Sequence, residues 1–357
     1  MPALLGPPPR TAPWLPEAAR NAEQVVLLVL DGLGWDQLRD RAAHAPTLAS
    51  MAGGPITSVA PTTTATALCS IVLGMRPCEH GVVGYRMRVA VDGADRVLNV
   101  LRWRTSDGDA REAVPPASVQ PHEAFAGRDV AVVTRGQFAS TGFTTLLGVK
   151  RLAGWTESSS IAVEVGTRLR AGDPFVYAYY DGIDKIAHER GFGPHYDAEL
   201  RAADRIVADV AAALPPGAAL VVTADHGQVE VGDRAVVLES AVLDAVAFTS
   251  GENRFLWLHA KPGGDVAALA DRCRAEFEAP GLAWVRTRDE VVDGGWYGGP
   301  LAPEAAARLG DVALVAREPV AFFDPSDLGS IGLRCRHGSL TAAELRVPLV
   351  AVGSGDV

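Results

Sequence analysis

The sequence reads as an α/β domain built on buried parallel strands, and three observations carry this. First, its 357 residues, 48% hydrophobic and 21% charged, suit one large soluble domain or a core with a smaller addition. Second, Val25 to Leu30 is an unbroken apolar run, the pattern of a strand covered on both faces. Third, strand patterns repeatedly end in an acid: Leu30 runs into Asp31, Tyr180 into Asp181, and Thr223 through Ala224 into Asp225. Open α/β sheets bind ligands at the carboxyl ends of their strands, so acids placed there suggest a site.

Taken in order, residues 1–22 are proline-rich and read as an extended lead-in over the surface. The strand Val25 to Leu30 opens into Asp31-Gly32-Leu33-Gly34 and a helix from Trp35 to Ala43. The stretch from Ala60 to His80 holds Thr62, Thr63, Thr64 and Thr66 ahead of an apolar helix to Leu73, which Gly74 and Pro77 end. Threonines at a helix start can cap it, or can meet a phosphate at the open N–H groups and positive end of the dipole. Arg86 to Pro116 alternates irregularly and reads as a hairpin or surface excursion. Val130 to Thr134 is a second strand, Arg135 to Thr145 a polar loop, Ile161 to Ala171 a helix, and Phe175 to Tyr180 a third strand.

Asp184 and His188 follow, four apart, so one helical turn puts them on one face. That spacing suits a metal, although an exposed helix charge and a partly buried histidine give the same pattern. Tyr196 to Leu214 is a long amphipathic helix stopped by Pro215-Pro216-Gly217. Ala219 to Thr223 is a fourth strand, and Gly227 after Asp225-His226 permits a sharp turn. From residue 235 to 329 the character shifts to a small α+β unit, with a strand at 254–259, a helix at 266–277 and a strand at 311–316. The chain returns with Cys335-Arg336-His337-Gly338-Ser339 and closes on a strand from Val347 to Val352. The expected organisation is therefore a lead-in (1–22), a catalytic core in two parts (23–234 and 330–357) and an inserted cap (235–329).

A net charge of -10 argues against nucleic-acid polymers and anionic membranes as partners. The four cysteines form no Cys-x-x-Cys pair, so a disulfide framework or thiolate zinc site is not expected. No signal-peptide pattern opens the chain and no apolar run is long enough for a membrane span, so a cytoplasmic location is expected.

The chemistry-bearing candidates are Asp31, Thr64, Asp184, His188, Asp225, His226 and His337. Carboxylates and imidazoles in this mix suit zinc, with manganese the alternative, and six such ligands divide into two sets of three with open positions. Converging carboxylates repel, so a cation is the simplest way to hold them together.

The motifs LVLDGLG (28–34), PTTT with LGMRPCEHG (61–81), DKIAHERGFGP (184–194), ADHG (224–227) and RHGS (336–339) resemble, in order and wide spacing, the nucleotide pyrophosphatase/phosphodiesterase branch of the alkaline phosphatase superfamily. That resemblance implies an α/β sandwich with a central mixed sheet, helices on both faces and a small inserted α+β cap. It implies two divalent metal ions, one on Asp31, Asp225 and His226 with Thr64 beside it, the other on Asp184, His188 and His337. It also implies that Thr64 attacks a small phosphodiester or pyrophosphate and is transiently phosphorylated. A slip of the register would shift that role to Thr63.

The chain departs from the branch at Ala67, where an asparagine commonly supports a phosphoryl oxygen; backbone N–H groups near Thr64 and Ala65 are the expected substitute. His80 reads as structural, and His195, beside the metal motif, as no part of the site. A phosphonate hydrolase of the same superfamily is the alternative, for which Lys185 or Arg135 would hold a substrate carboxylate. A non-catalytic metal-binding protein is the remaining reading, and it predicts a missing ligand or nucleophile.

Overall fold

Strand Gln24–Leu30 lies at the centre of a seven-stranded sheet in the computed structural model, which describes residues 1–355. In spatial order the strands are Ala52–Thr57, Arg346–Gly353, Ala218–Thr223, Gln24–Leu30, Phe175–Tyr180, Ala131–Arg135 and Arg151–Trp155. Arg346–Gly353 is antiparallel to both its neighbours and every other pairing is parallel, so the sheet is mixed.

The uninterrupted apolar run is explained by what covers it. Side chains alternate across a strand. Val25, Leu27 and Val29 face helix Thr64–Leu73, while Val26, Leu28 and Leu30 face Ile161–Arg170 and Pro194–Ala212. Helices thus cover both faces. The register sets Val29 beside Thr223 on one side and Tyr179 on the other, so Asp31, Asp181 and Asp225 emerge at one edge of the sheet.

Three segments differ from the expectations. The lead-in is not an extended surface strip: Pro2–Leu5 and Glu17–Asn21 are short helices, and Leu4, Leu5 and Leu15 are buried. The Arg10 guanidinium stitches it together by donating to the carbonyls of Leu4, Ala19 and Ala22. The loop at 135–145 holds helix Gly142–Leu146, capped by Thr141, and the edge strand Arg151–Trp155 follows it. Residues 86–116 do contain a hairpin, Arg86–Val91 with Ala94–Asn99, but Trp103 within them is fully buried in the main core.

In the region from 235 to 329, strands Val246–Glu252, Phe255–Ala260, Val312–Ala316 and Ala283–Thr287 form an antiparallel sheet in that order. One face, with Leu256 and Leu258, packs on helix Val266–Cys273; the other, with Phe255 and Trp257, packs into the main core. A fully buried ion pair fastens this region to the end of the chain. Arg254 Nε and its terminal nitrogen lie 2.8 Å from the two Glu344 oxygens, and the guanidinium also donates to the carbonyls of Glu318 and Val320. No helix of the described residues is long and apolar enough to cross a membrane.

Candidate active site

Thr64 begins helix Thr64–Leu73, and no side chain caps that helix. Its first main-chain bond runs from the Ala67 N–H to the Thr63 carbonyl, which leaves the N–H groups of the first turn open. The three adjacent threonines have different employment. Thr62 donates to the Ser339 carbonyl and accepts from the Gly338 N–H, and Thr63 donates to Glu252 at 2.6 Å. Of the three hydroxyls only that of Thr64 reaches a candidate ligand: its Oγ lies 3.1 Å from His226 Nε2. Ala67 is buried and offers no polar group.

Asp31 and Asp225 leave neighbouring strand ends and converge on His226. The His226 Nε2 is 3.6 Å from Asp31 Oδ1 and 3.4 Å from Asp225 Oδ2. Their other oxygens are tied back: Asp31 accepts from the Tyr179 hydroxyl, and Asp225 Oδ1 from the N–H groups of Gly32 and His226. Helix Gly182–Arg190 places Asp184 and His188 one turn apart, with His188 Nε2 3.3 Å and His337 Nε2 3.8 Å from Asp184 Oδ1. The ligand atoms of Asp184, His188 and His337 all lie within 4.8 Å of one another, and so do those of Asp31, Asp184 and His226. All seven residues singled out in the sequence therefore meet in one place, with Asp184 close to both groups.

This arrangement fits cations on physical grounds. Each imidazole sets its Nδ1 against a main-chain carbonyl: His188 on Cys335 and His337 on Thr62, both at 2.7 Å, and His226 on Gly227 at 3.1 Å. A carbonyl only accepts, so these partners take the Nδ1 proton and turn each Nε2 inward, where a neutral ring offers its lone pair to a cation. The Nε2 atoms lie against carboxylate oxygens, which are cation ligands themselves. Asp31 Oδ1 and Asp225 Oδ2 are buried with no hydrogen-bond partner among the described residues. Burial, and then the charges of Asp225 and Asp184, push the Asp31 carboxyl well above the ordinary range. Burial, and then the rings of His226 and His188, hold His337 well below the usual imidazole range. A divalent cation in each group would draw on these inward-facing atoms; Asp225, expected beside Asp31 and His226, lies 3.4 Å from His226 Nε2 but outside both close groups, where Asp184 stands instead.

Several neighbours belong to none of the chemistry-bearing candidates. Gln228 donates to Asp184 Oδ1 at 2.8 Å, Tyr179 holds Asp31, and Glu252 receives Thr63. Strand alternation in Phe175–Tyr180 is the available signal for Tyr179; nothing in the sequence points to the others. The strand-end pattern is corrected at Asp181. It ends its strand as expected but takes no part in the cluster, because Arg135 Nε at 2.7 and 2.9 Å and the Lys185 ammonium engage its carboxylate. His80 is structural as expected: it accepts from the Val82 N–H and bonds Ser70, and burial lowers its pKa to about 3. His195 is exposed on helix Pro194–Ala212.

Gly227 makes the Asp225-His226 turn possible through closeness. A Cβ there would stand 2.1 Å from the Ala343 carbonyl oxygen and 2.9 Å from the Gly34 Cα. Gly227→Ala is therefore expected to cost about 1–3 kcal/mol as an overpacking substitution and to displace His226. Urea denaturation with parallel zinc titration checks this; unchanged stability and zinc affinity would contradict it.

Two cavities meet at Thr64. One, about 240 Å³, is polar and is lined by His188, His337, Glu252, Asn253 and Arg336 among others. The other, about 420 Å³, runs beneath helix Thr64–Leu73.

Against known proteins, the family model of type I phosphodiesterase / nucleotide pyrophosphatase matches residues 25–339. Among solved structures, murine ectonucleotide pyrophosphatase / phosphodiesterase 5 is similar with a TM-score of 0.68 at 16% identity, over 92% of this chain and 88% of that one. An inactive form of the murine protein was solved in complex with AMP. Phosphonoacetate hydrolase from Sinorhizobium meliloti 1021, solved with phosphonoformate, is similar with a TM-score of 0.67 at 19% identity, over 93% of this chain and 90% of that one. At these identities the likeness shows the fold. No curated protein sequence matches.

Proposed function

Because the chain belongs to the type I phosphodiesterase / nucleotide pyrophosphatase family of the alkaline phosphatase superfamily, we propose that it hydrolyses small phosphodiesters or pyrophosphates through Thr64 and two divalent metal ions. The observation that carries this is the employment of the threonines: Thr62 and Thr63 are engaged by the fold, while Thr64 sits at an open helix N-terminus, 3.1 Å from His226 Nε2.

Asp31, Asp225 and His226 would hold one ion and Asp184, His188 and His337 the other, with zinc favoured by the donor set and manganese the alternative. Bound there, the ions supply a lowered pKa for a neighbouring hydroxyl and neutralisation of charge on a departing oxygen. The chain supplies the rest. Thr64 gives up its hydroxyl proton to solvent and its Oγ bonds to phosphorus as the P–O bond to the leaving group breaks on the opposite side; the leaving oxygen takes up a proton, and water then cleaves the phospho-threonine and restores the Thr64 hydroxyl. The open N–H groups of Thr64 and Ala65 receive phosphoryl oxygens, in place of the amide that Ala67 does not offer. Tyr179, Gln228 and the main chain at Gly32 fix the carboxylates, so little reorganisation accompanies the reaction.

Hydrolysis of bis-p-nitrophenyl phosphate and p-nitrophenyl phosphate, with zinc and with chelator, tests the reading. Diester cleavage that needs zinc and exceeds monoester cleavage is the expected result; diester cleavage untouched by exhaustive chelation would sink the two-metal assignment. The same site predicts that zinc stabilises the protein, by about 2.7 kcal/mol per ion at a hundredfold excess over Kd. A thermal midpoint that ignores zinc would contradict it.

The likeness to phosphonoacetate hydrolase supports a phosphonate hydrolase as the alternative. Its substrate carboxylate would need a base other than Arg135 and Lys185, since Asp181 already engages both. Turnover of phosphonoacetate, with neither ester cleaved by the metal-loaded protein, would favour it. The cytoplasmic location is supported by four cysteines that are all buried and unpaired.

A further inference from the structure

Arg336 is a buried guanidinium with few partners. Three arginines are buried among the described residues: Arg10, Arg254 and Arg336. Arg10 donates to three main-chain carbonyls, and Arg254 to both Glu344 oxygens and two carbonyls. Arg336, 4% exposed, makes only two bonds, to the Asn253 amide oxygen at 3.2 Å and to the Ser330 carbonyl. Both acceptors are neutral. Arg336 forms no ion pair among the described residues, and its Nε has no partner there. The Phe323 ring backs the guanidinium, 4.8 Å from ring centre to carbon. Burying an unpaired charge is costly, so a guanidinium left this way is matched to an anion from outside the chain.

Its position says which anion. The short strand Cys335–Arg336 pairs with Val229–Glu230, and it sets Cys335 into the core and Arg336 on the wall of the smaller cavity at Thr64. Apolar side chains such as Leu68, Val72 and Phe125 wall the larger cavity, whereas the smaller one also holds Asp184, His188 and His337. Thr64 Oγ lies beside His226, so an ester attacked there turns its leaving oxygen away from His226, toward Asp184, His188 and His337. The leaving arm then runs along the wall that Arg336 lines.

We propose that Arg336 is a specificity residue that binds a carboxylate on the leaving arm, so that the favoured substrate is a phosphodiester of a hydroxy acid. This deepens, and rests on, the phosphodiesterase reading above. A carboxylate fits better than a phosphate for two reasons. It is planar and pairs side by side with two N–H groups of one guanidinium. It also brings a single negative charge into a cavity that Glu252 already lines, where a dianion would meet stronger repulsion.

The test compares three methyl aryl phosphates on the zinc-loaded full chain: the phenyl, 3-carboxyphenyl and 3-phosphonophenyl esters. A meta-carboxylate hardly alters the phenol as a leaving group, so a rate difference between the first two reads recognition of the carboxylate. The carboxyphenyl ester is expected to exceed the phenyl ester by about 30-fold in kcat/KM, the scale of a charge-assisted pair in a buried site. That ratio is expected to fall below about threefold in Arg336→Gln, and to stay above about fivefold in Arg336→Lys, which keeps the charge but not the planar fork. Phenyl and carboxyphenyl esters cleaved within threefold of each other by the unaltered protein would overturn the proposal while leaving the phosphodiesterase reading intact. So would a preference undiminished in Arg336→Gln, or a phosphonophenyl ester preferred to both. The first of these outcomes needs no variant, so misfolding of Arg336→Gln does not shelter the proposal. If no ester is cleaved, calorimetric binding of the phenyl and carboxyphenyl esters separates the two claims. Carboxyphenyl ester bound at least tenfold tighter, with the difference lost in Arg336→Gln, means that the reaction assignment fails and the carboxylate site stands; equal binding overturns the site as well.

Discussion

Thr64→Ala is expected to lower diester hydrolysis by about 10⁴-fold or more, the scale seen when a covalent nucleophile is removed from an otherwise intact site. Thr63→Val is the informative companion, because the two hydroxyls are adjacent and a shifted register would exchange their roles. Thr63 donates to Glu252 at 2.6 Å, and burial already raises that carboxyl's pKa. Losing the hydroxyl should therefore cost about 0.5–1.5 kcal/mol of stability, the net worth of one hydrogen bond to a half-buried carboxylate that lines the polar cavity, and less than about tenfold in rate. Steady-state rates beside urea denaturation distinguish them. If Thr64→Ala kept a tenth of the activity, water and not threonine would be the nucleophile; if Thr63→Val lost everything at full stability, the nucleophile would be Thr63.

Arg254→Met is expected to destabilise the protein by about 3–5 kcal/mol, because it leaves Glu344 charged, buried and without its partner. The consequence reaches the site. Glu344 also accepts from the Ser339 N–H at 2.9 Å, and its own carbonyl receives the Gly227 N–H at 2.8 Å. One residue thus ties the turn after His226 to the turn after His337. Weakened zinc binding should accompany the lost stability. The double variant Arg254→Met with Glu344→Leu should recover part of the stability, since apolar replacement of a buried pair is often tolerated. A shift below 1 kcal/mol in urea for the single variant would show that the pair is not what fastens the two regions.

Much of the site is legible in the motifs. Asp31, Asp184, Asp225 and their histidines stand beside strand ends or one helical turn apart, which are local patterns that a sequence displays. The residues that hold them are not legible there. Tyr179, Gln228 and Glu252 are ordinary residues until the fold brings them against Asp31, Asp184 and Thr63, and Asp181 has the same strand-end signature as Asp31 yet is claimed by Arg135 and Lys185. The packed lead-in and the burial of Trp103 escape the sequence for a related reason: proline content and mixed polarity describe the local chain and say nothing of which distant surface it covers.

By itself the sequence determined the buried parallel strands, the acids at their ends, the helix-start threonines and the family to which they belong, because each depends on neighbours a few residues apart. Only the tertiary structure decided that Thr64 and not Thr63 faces His226, that each imidazole points its Nε2 inward, and that a polar and an apolar cavity meet at one hydroxyl. Most of these depend on pairs separated by more than a hundred residues, such as His337 with Thr62, His188 with Cys335 and Thr64 with His226, while the His226 ring is set by its neighbour Gly227. Which side chain a buried carbonyl or hydroxyl finds is set by packing of the whole chain, and no local spacing encodes it.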